Sequence, residues 1–266
     1  MTPFRPLLSI DSGIIPGILV LFASFTIVSC GRDIPVPEQI SFEVESTLPH
    51  DTQAFTQGLL IHNDFLYEST GEYGESSLRK IELETGKTLE IRYLPDRLFG
   101  EGLAFLDGKL FQLEWQSGVG RICDPETLLK VGEFTYEGEG WGLTTDGTHL
   151  ILSDGSATLR FLDPKDFTVR RELLVRDRLG EVVDLNELEY VDGVIFANLW
   201  YSDEILRIDP ETGFVTGILN IGALERPRPR DEAAVANGIA WDPDSGLLYV
   251  TGKLWPNLYA LRIQKD

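Results

Sequence analysis

Histidine, cysteine and methionine are scarce in this 266-residue sequence, which holds three, two and one of them. His50, His62 and His149 are scattered and do not make a common zinc-ligand set. Two cysteines cannot build a disulfide framework. Zinc, thiol and histidine-triad chemistry therefore have little room. Basic residues are also short: 23 Lys and Arg face 43 Asp and Glu, a formal net charge of −20 with no basic cluster to override it. Such a chain repels phosphate backbones, which argues against nucleic acid as a partner. No apolar run reaches the roughly 18–20 residues of a bilayer span. What is present is a globular composition, 42% hydrophobic and 10% aromatic, with 26 Gly and 14 Pro to supply many turns. The length suits one large all-β or α/β domain, or two small ones.

Residues 1–29 read as an address. Arg5 is offset by Asp11, and Ile14 to Val28 is a largely apolar run of 15 residues interrupted by Pro16. The run ends in Ile27-Val28-Ser29-Cys30, which resembles a bacterial lipobox in which the cysteine is lipidated and becomes the mature first residue. An ordinary signal peptide or an uncleaved anchor is the alternative. Gly31 follows Cys30, so retention in the inner membrane is not signalled. The expectation is a bacterial protein in the periplasm, lipid-anchored at Cys30 in the outer membrane. Residues 30–38 would form a short tether, leaving Cys123 as a lone thiol that packs as a small hydrophobe.

From residue 52 the chain repeats itself. A polar or aromatic residue, a small or acidic one, then Leu or Ile recurs as Gln57-Gly58-Leu59, Glu101-Gly102-Leu103, Trp141-Gly142-Leu143, Asn186-Glu187-Leu188 and Asn237-Gly238-Ile239, at steps of 44, 40, 45 and 51 residues. Each anchor is followed by a hairpin cue: Asn63-Asp64, Asp107-Gly108, Asp146-Gly147, Asp192-Gly193 and the longer Asp242 to Gly246. A second turn follows in the first four units. Each unit thus holds about four short strands with no sustained helical period, the pattern of a β-propeller blade. The fifth unit has only three strands, and the alternating Ile40, Phe42 and Val44 can supply the fourth. The reading is all-β: a five-bladed β-propeller over residues 39–266, its ring closed by an N-terminal strand in the last blade. A β-sandwich with coincidental spacing is the competing fold.

First strands of propeller blades line the central channel, so the anchors form a ring of Gln57, Glu101, Trp141, Asn186 and Asn237. Alternation puts Phe55 and Phe99 on the same strand faces as Gln57 and Glu101. Seven residues after each hairpin turn stand Gly71, Trp115, Asp154, Trp200 and Lys253, a cup near the channel mouth. Glu101 is the sharpest position. Among Phe99, Trp115, Trp141 and Trp200 its carboxyl is desolvated, which raises its pKa and suits it to carry a proton near neutral pH. A structural carboxylate bonded across blades is the other reading. The histidines fall near turns without a readable role, and the many other acids read as a solvated face.

At these residues the chain resembles the plant-type glutaminyl-peptide cyclotransferases, a family that also occurs in bacteria. The matching segments include Ala54-Phe55-Thr56-Gln57-Gly58-Leu59, Phe99-Gly100-Glu101-Gly102-Leu103, Leu113-Glu114-Trp115, Gly140-Trp141-Gly142-Leu143, Leu185-Asn186-Glu187-Leu188, Ala197-Asn198-Leu199-Trp200 and Thr251-Gly252-Lys253-Leu254-Trp255-Pro256, and they run through the whole propeller. The resemblance implies a five-bladed propeller enzyme with Glu101 as catalytic acid/base. Phe55, Gln57, Phe99, Trp115, Trp141, Asn186, Trp200 and Lys253 are the implied substrate-binding residues. The implied substrate is a peptide or protein with N-terminal glutamine, converted to pyroglutamate with loss of ammonia by a monomer using neither metal nor cofactor. A second enzyme class stays open: propeller lactonases bind a divalent cation through channel oxygens, and Glu101, Asn186 and Asn237 imitate that ligand set. A non-catalytic binding propeller is the third reading.

Overall fold

Three of the hairpin cues, Asn63-Asp64, Asp107-Gly108 and Asp192-Gly193, have both residues at positive φ, the backbone of tight two-residue hairpins whose twist matches that of the flanking strands. The computed structural model describes residues 33–225 and 233–264. Residues 1–29, expected from sequence to be a signal segment, and Cys30 lie outside the described residues. Among the described residues every regular element is a strand. The innermost strands are Thr56–His62, Gly100–Leu106, Leu143–Thr145, Leu185–Val191 and Ala236–Asp242, and each leads through antiparallel neighbours to the rim of its own sheet. Each innermost strand packs against the next, and the fifth packs against the first. The architecture is a five-bladed β-propeller, as the repeat predicts.

The apolar alternation of each blade is spent against its neighbours, giving five separate cores. Leu60, Tyr67 and Leu78 of blade one meet Leu103, Leu110 and Cys123 of blade two, so Cys123 is the buried small hydrophobe expected of it. Comparable clusters join blades two and three, three and four, four and five, and five and one. Apolar burial at roughly 25 cal/mol per Å² is thereby distributed around the ring rather than concentrated in one centre.

The closing strand, Phe42–Pro49, pairs antiparallel with Asn257–Ile263 and completes blade five. Ile40 departs from the expected pairing. Glu38–Gln39 runs parallel to Val215–Asn220 at the outer edge of blade four, and the Ile40 amide donates to the Ile218 carbonyl at 2.8 Å. The cause is burial: the Ile40 side chain enters the core shared by blades four and five. The N-terminal segment therefore straps both blades. A short hairpin, Arg176–Asp177 with Gly180–Glu181, lies between blades three and four and carries no repeat signal.

Close approach of the blades at the axis depends on the small anchor residue. A Cβ on Gly142 would stand 2.0 Å from the Asn186 carbonyl oxygen, and one on Gly102 would stand 2.4 Å from the Leu143 amide nitrogen. Blade four carries Glu187 at this position. Its carboxylate accepts the amides of Leu59 in blade one (3.3 Å) and Ile239 in blade five (2.7 Å), so it reaches across the axis. His50, read from sequence as a turn residue without a role, follows the closing strand with its side chain buried. Its Nε2 lies 3.0 Å from Glu68 Oε1 and its Nδ1 lies 2.7 Å from the Trp255 carbonyl. Burial alone would lower its pKa, but the Glu68 charge and hydrogen bond, together with the Trp255 carbonyl and the Asp51 charge, outweigh that and raise it.

Candidate active site

The pocket opens at the channel end where the innermost strands begin and the second strands stop. Gln57, Glu101 and Asn186 are the second residues of their innermost strands. Trp115, Trp200 and Lys253 each stand one residue beyond a second strand, Lys109–Glu114, Val194–Leu199 and Leu247–Gly252. A shared backbone contact fixes these two sets. The amides of Gly71, Trp115, Trp200 and Lys253 donate to the carbonyls of Phe55, Phe99, Asp184 and Val235, at 2.8–3.0 Å. Each acceptor precedes its ring residue by two. The repeat thus delivers ring and cup to one place.

Phe55, Gln57, Phe99, Glu101, Trp115, Trp141, Asn186, Trp200 and Lys253 all line one cavity of about 230 Å³. Every candidate binding residue and the candidate acid are brought together. The volume lies below the roughly 300–1,000 Å³ of sites for drug-sized ligands, and suits a group the size of one amino-acid side chain. Two cup positions stay outside the lining. Asp154 pairs with Arg160 at 3.1 Å, and Gly71 backs the Phe99 ring, where a Cβ would sit 2.3 Å away. Of the ring, Asn237 turns aside: its Nδ2 donates to the Thr56 carbonyl (2.9 Å) and to Gln57 Oε1 (3.1 Å). That contact orients the Gln57 amide, whose Nε2 then donates to Glu101 Oε1 at 2.9 Å.

Tyr201, Ala233 and Val235 also line the cavity and were missed from sequence. Tyr201 has φ 59° in the turn after Trp200, where no periodicity operates. Val235 did carry a signal, being two residues before Asn237 as Phe55 is before Gln57.

The walls are aromatic. Phe99 meets Phe55 edge-on at 6.1 Å and lies tilted against Trp115 at 5.5 Å, and Trp141 meets Trp200 edge-on at 5.3 Å, with Tyr201 a further 4.7 Å along. Lys253 Nζ lies 4.5 Å from the centre of the Phe55 ring, a cation–π distance. Glu101 is 4% exposed. Burial, partly offset by the Lys253 charge and reinforced by that of Glu139, raises its pKa well above the ordinary carboxylate range. Burial lowers the pKa of Lys253, against the opposing charges of Glu101 and Glu72. Two buried acceptors, Glu101 Oε2 and Asn186 Oδ1, have no hydrogen-bond donor from the protein. Left unmet, each costs on the order of 1–3 kcal/mol. The arrangement can accept N–H groups from a small ligand and exchange a proton with it at a buried carboxyl walled by aromatic rings.

Comparison with known proteins gives one answer. A family model described as glutamine cyclotransferase matches residues 19–263. An Arabidopsis thaliana protein named glutaminyl-peptide cyclotransferase is 43% identical over 243 residues, which cover 89% of this chain and 76% of that one. The crystal structure of Myxococcus xanthus glutaminyl cyclase matches with a TM-score of 0.79 at 37% identity, covering 87% of this chain and 100% of that one. A β-propeller domain from Myceliophteria thermophila matches at TM-score 0.50 and 10% identity, over 84% of this chain and 100% of that one, and bears on the fold alone. The five-bladed chain, with its buried acid in an aromatic cup, belongs to the glutamine cyclotransferase family of enzymes.

Proposed function

We propose that this protein converts the N-terminal glutamine of peptides or proteins to pyroglutamate and releases ammonia, with Glu101 as the proton carrier. The observation that carries this reading is the Glu101 carboxyl. One oxygen is held by Gln57, the other has no donor from the protein, and the group is enclosed by aromatic rings beside Lys253. The α-amine nitrogen attacks the side-chain amide carbon, forming the ring C–N bond. Glu101, ionised, takes a proton from that nitrogen and delivers it to the amide nitrogen, whose bond to carbon then breaks to free ammonia. Attack is intramolecular, so most of the work is holding the side chain folded back. The aromatic walls exclude water and clasp the glutaminyl stem. Asn186 Oδ1 suits an N–H of the amine or amide, and the Lys253 charge favours the oxyanion of the tetrahedral intermediate.

No step in this route calls for a metal ion. The test is ammonia release from a Gln-initiated dipeptide with and without EDTA. Equal release in both is the expected result. Release abolished by EDTA would overturn metal independence, and no release in either would overturn the activity. We further propose that the chain is held on a membrane by a lipid on Cys30, on the strength of the Ile27-Val28-Ser29-Cys30 ending. An unmodified peptide across residues 25–35, found by mass spectrometry of the membrane fraction, would refute that.

A further inference from the structure

The aromatic wall consists of two arcs, Phe55–Phe99–Trp115 and Trp141–Trp200–Tyr201. They meet at one carboxylate outside the cavity lining. Glu139 Oε2 accepts the indole N–H of Trp115 at 2.9 Å and that of Trp141 at 3.0 Å, while its Oε1 accepts Gln116 Nε2 at 2.9 Å. Glu139 precedes the ring residue Trp141 by two, the position held by Phe55 and Phe99 in blades one and two. At that position blade three has a hydrogen-bond acceptor in place of a ring. From sequence alone it reads as one of the solvated acids.

We propose that Glu139 is a positioning residue that clamps the Trp115 and Trp141 indoles from behind and so holds the two arcs as one cup in the shape that folds the substrate back on itself. The inference rests on the cyclase reading for its substrate, but the clamp itself is a statement about two indole N–H groups. An indole ring can pivot about its side-chain torsions. Fixing the N–H fixes the ring plane, and a displacement of about 1 Å at a reacting group can cost on the order of 10²-fold in rate. The clamp is separable from the fold. Arg160 donates to the backbone carbonyls of Glu137 and Glu139, at 2.6 and 3.2 Å, and the Gly140 amide donates to the Trp115 carbonyl at 3.0 Å. These contacts hold the segment whatever side chain residue 139 carries.

The full chain is compared with E139A, E139M and E139Q. Methionine keeps the length without an acceptor. Glutamine keeps one oxygen with two lone pairs, enough for both indoles. The chain has five tryptophans, so ¹⁵N spectra resolve their indole N–H signals, with W115F and W141F assigning the two of interest. In E139A and E139M both signals should move to the position of N–H groups without a protein acceptor. The kcat/KM for a Gln-initiated dipeptide should fall about 10–100-fold with melting temperatures unchanged, and E139Q should restore both signals and activity to within about threefold. Unmoved indole signals in E139A and E139M would overturn the clamp. Moved signals with wild-type kcat/KM would overturn its role in catalysis, and so would an E139Q variant as impaired as E139A. A wild-type protein that does not cyclise the dipeptide sinks the cyclase reading alone, and the indole signals then still decide the clamp.

Discussion

Glu101→Gln should lower turnover of a Gln-initiated peptide by about 10²–10⁴-fold, the usual worth of a positioned acid/base. Glutamine is nearly isosteric and keeps an oxygen for the Gln57 Nε2 donor that now holds Glu101 Oε1 at 2.9 Å. What it lacks is an oxygen that can take up and release a proton. The fold should survive, and the sign of the stability change follows from the raised pKa. A carboxyl whose folded pKa exceeds its unfolded value contributes fully below the ordinary Glu range, near 4.3. That contribution is lost as pH rises through the folded value. The wild type and Glu101→Gln should therefore melt similarly in acid, and the variant should melt no lower than the wild type above that window. Circular dichroism melts and steady-state rates check both halves. A folded variant that cyclises at near the wild-type rate would remove Glu101 from the mechanism.

Lys253→Met should cost about 10²–10³-fold in kcat, the loss seen when one donor to a developing oxyanion is removed. It should also change the pH profile. Two groups must be deprotonated for attack, the substrate amine, with an ordinary pKa of about 7.7–8.0, and Glu101. On the acid side, log kcat/KM then rises with slope two below the lower pKa and slope one between them. The Lys253 charge favours ionised Glu101 and so holds its pKa below the level burial alone would set. Removing that charge raises the Glu101 pKa, and the break that Glu101 sets should move to higher pH. Methionine fits the buried space over Phe55 and leaves the backbone bond from residue 253 to the Val235 carbonyl intact. A break that stays in place, or moves to lower pH, would separate Lys253 from Glu101.

The ring and cup were legible because they are periodic. A strand that repeats five times fixes where its second residue points, so Gln57, Glu101 and Asn186 could be placed on one axis. Trp115, Trp200 and Lys253 could likewise be placed one layer out from their spacing alone. Residues set by singular contacts were not legible. Tyr201 lies in a turn at positive φ, and nothing in its spacing says that it faces the cavity. Asn237 occupies a ring position, yet its amide bonds to Thr56 and Gln57 rather than facing the pocket. Glu139 looks like any surface acid until two indoles converge on it. Ile40 obeys the alternation of the closing strand but is drawn to a different blade by a core that the local pattern does not show.

The account stands on a buried carboxyl whose raised pKa lets it ionise, and so act as a base, only above the ordinary Glu range. The direct measurement is the carboxylic-acid carbonyl band of Glu101, isolated as the infrared difference between wild type and Glu101→Gln across pH. The band should persist well above the ordinary Glu range, near 4.3, and the pH at which it disappears should coincide with the Glu101 break in the cyclisation profile. A band already lost in that ordinary range, or one whose disappearance leaves the rate profile without a break, would contradict the mechanism.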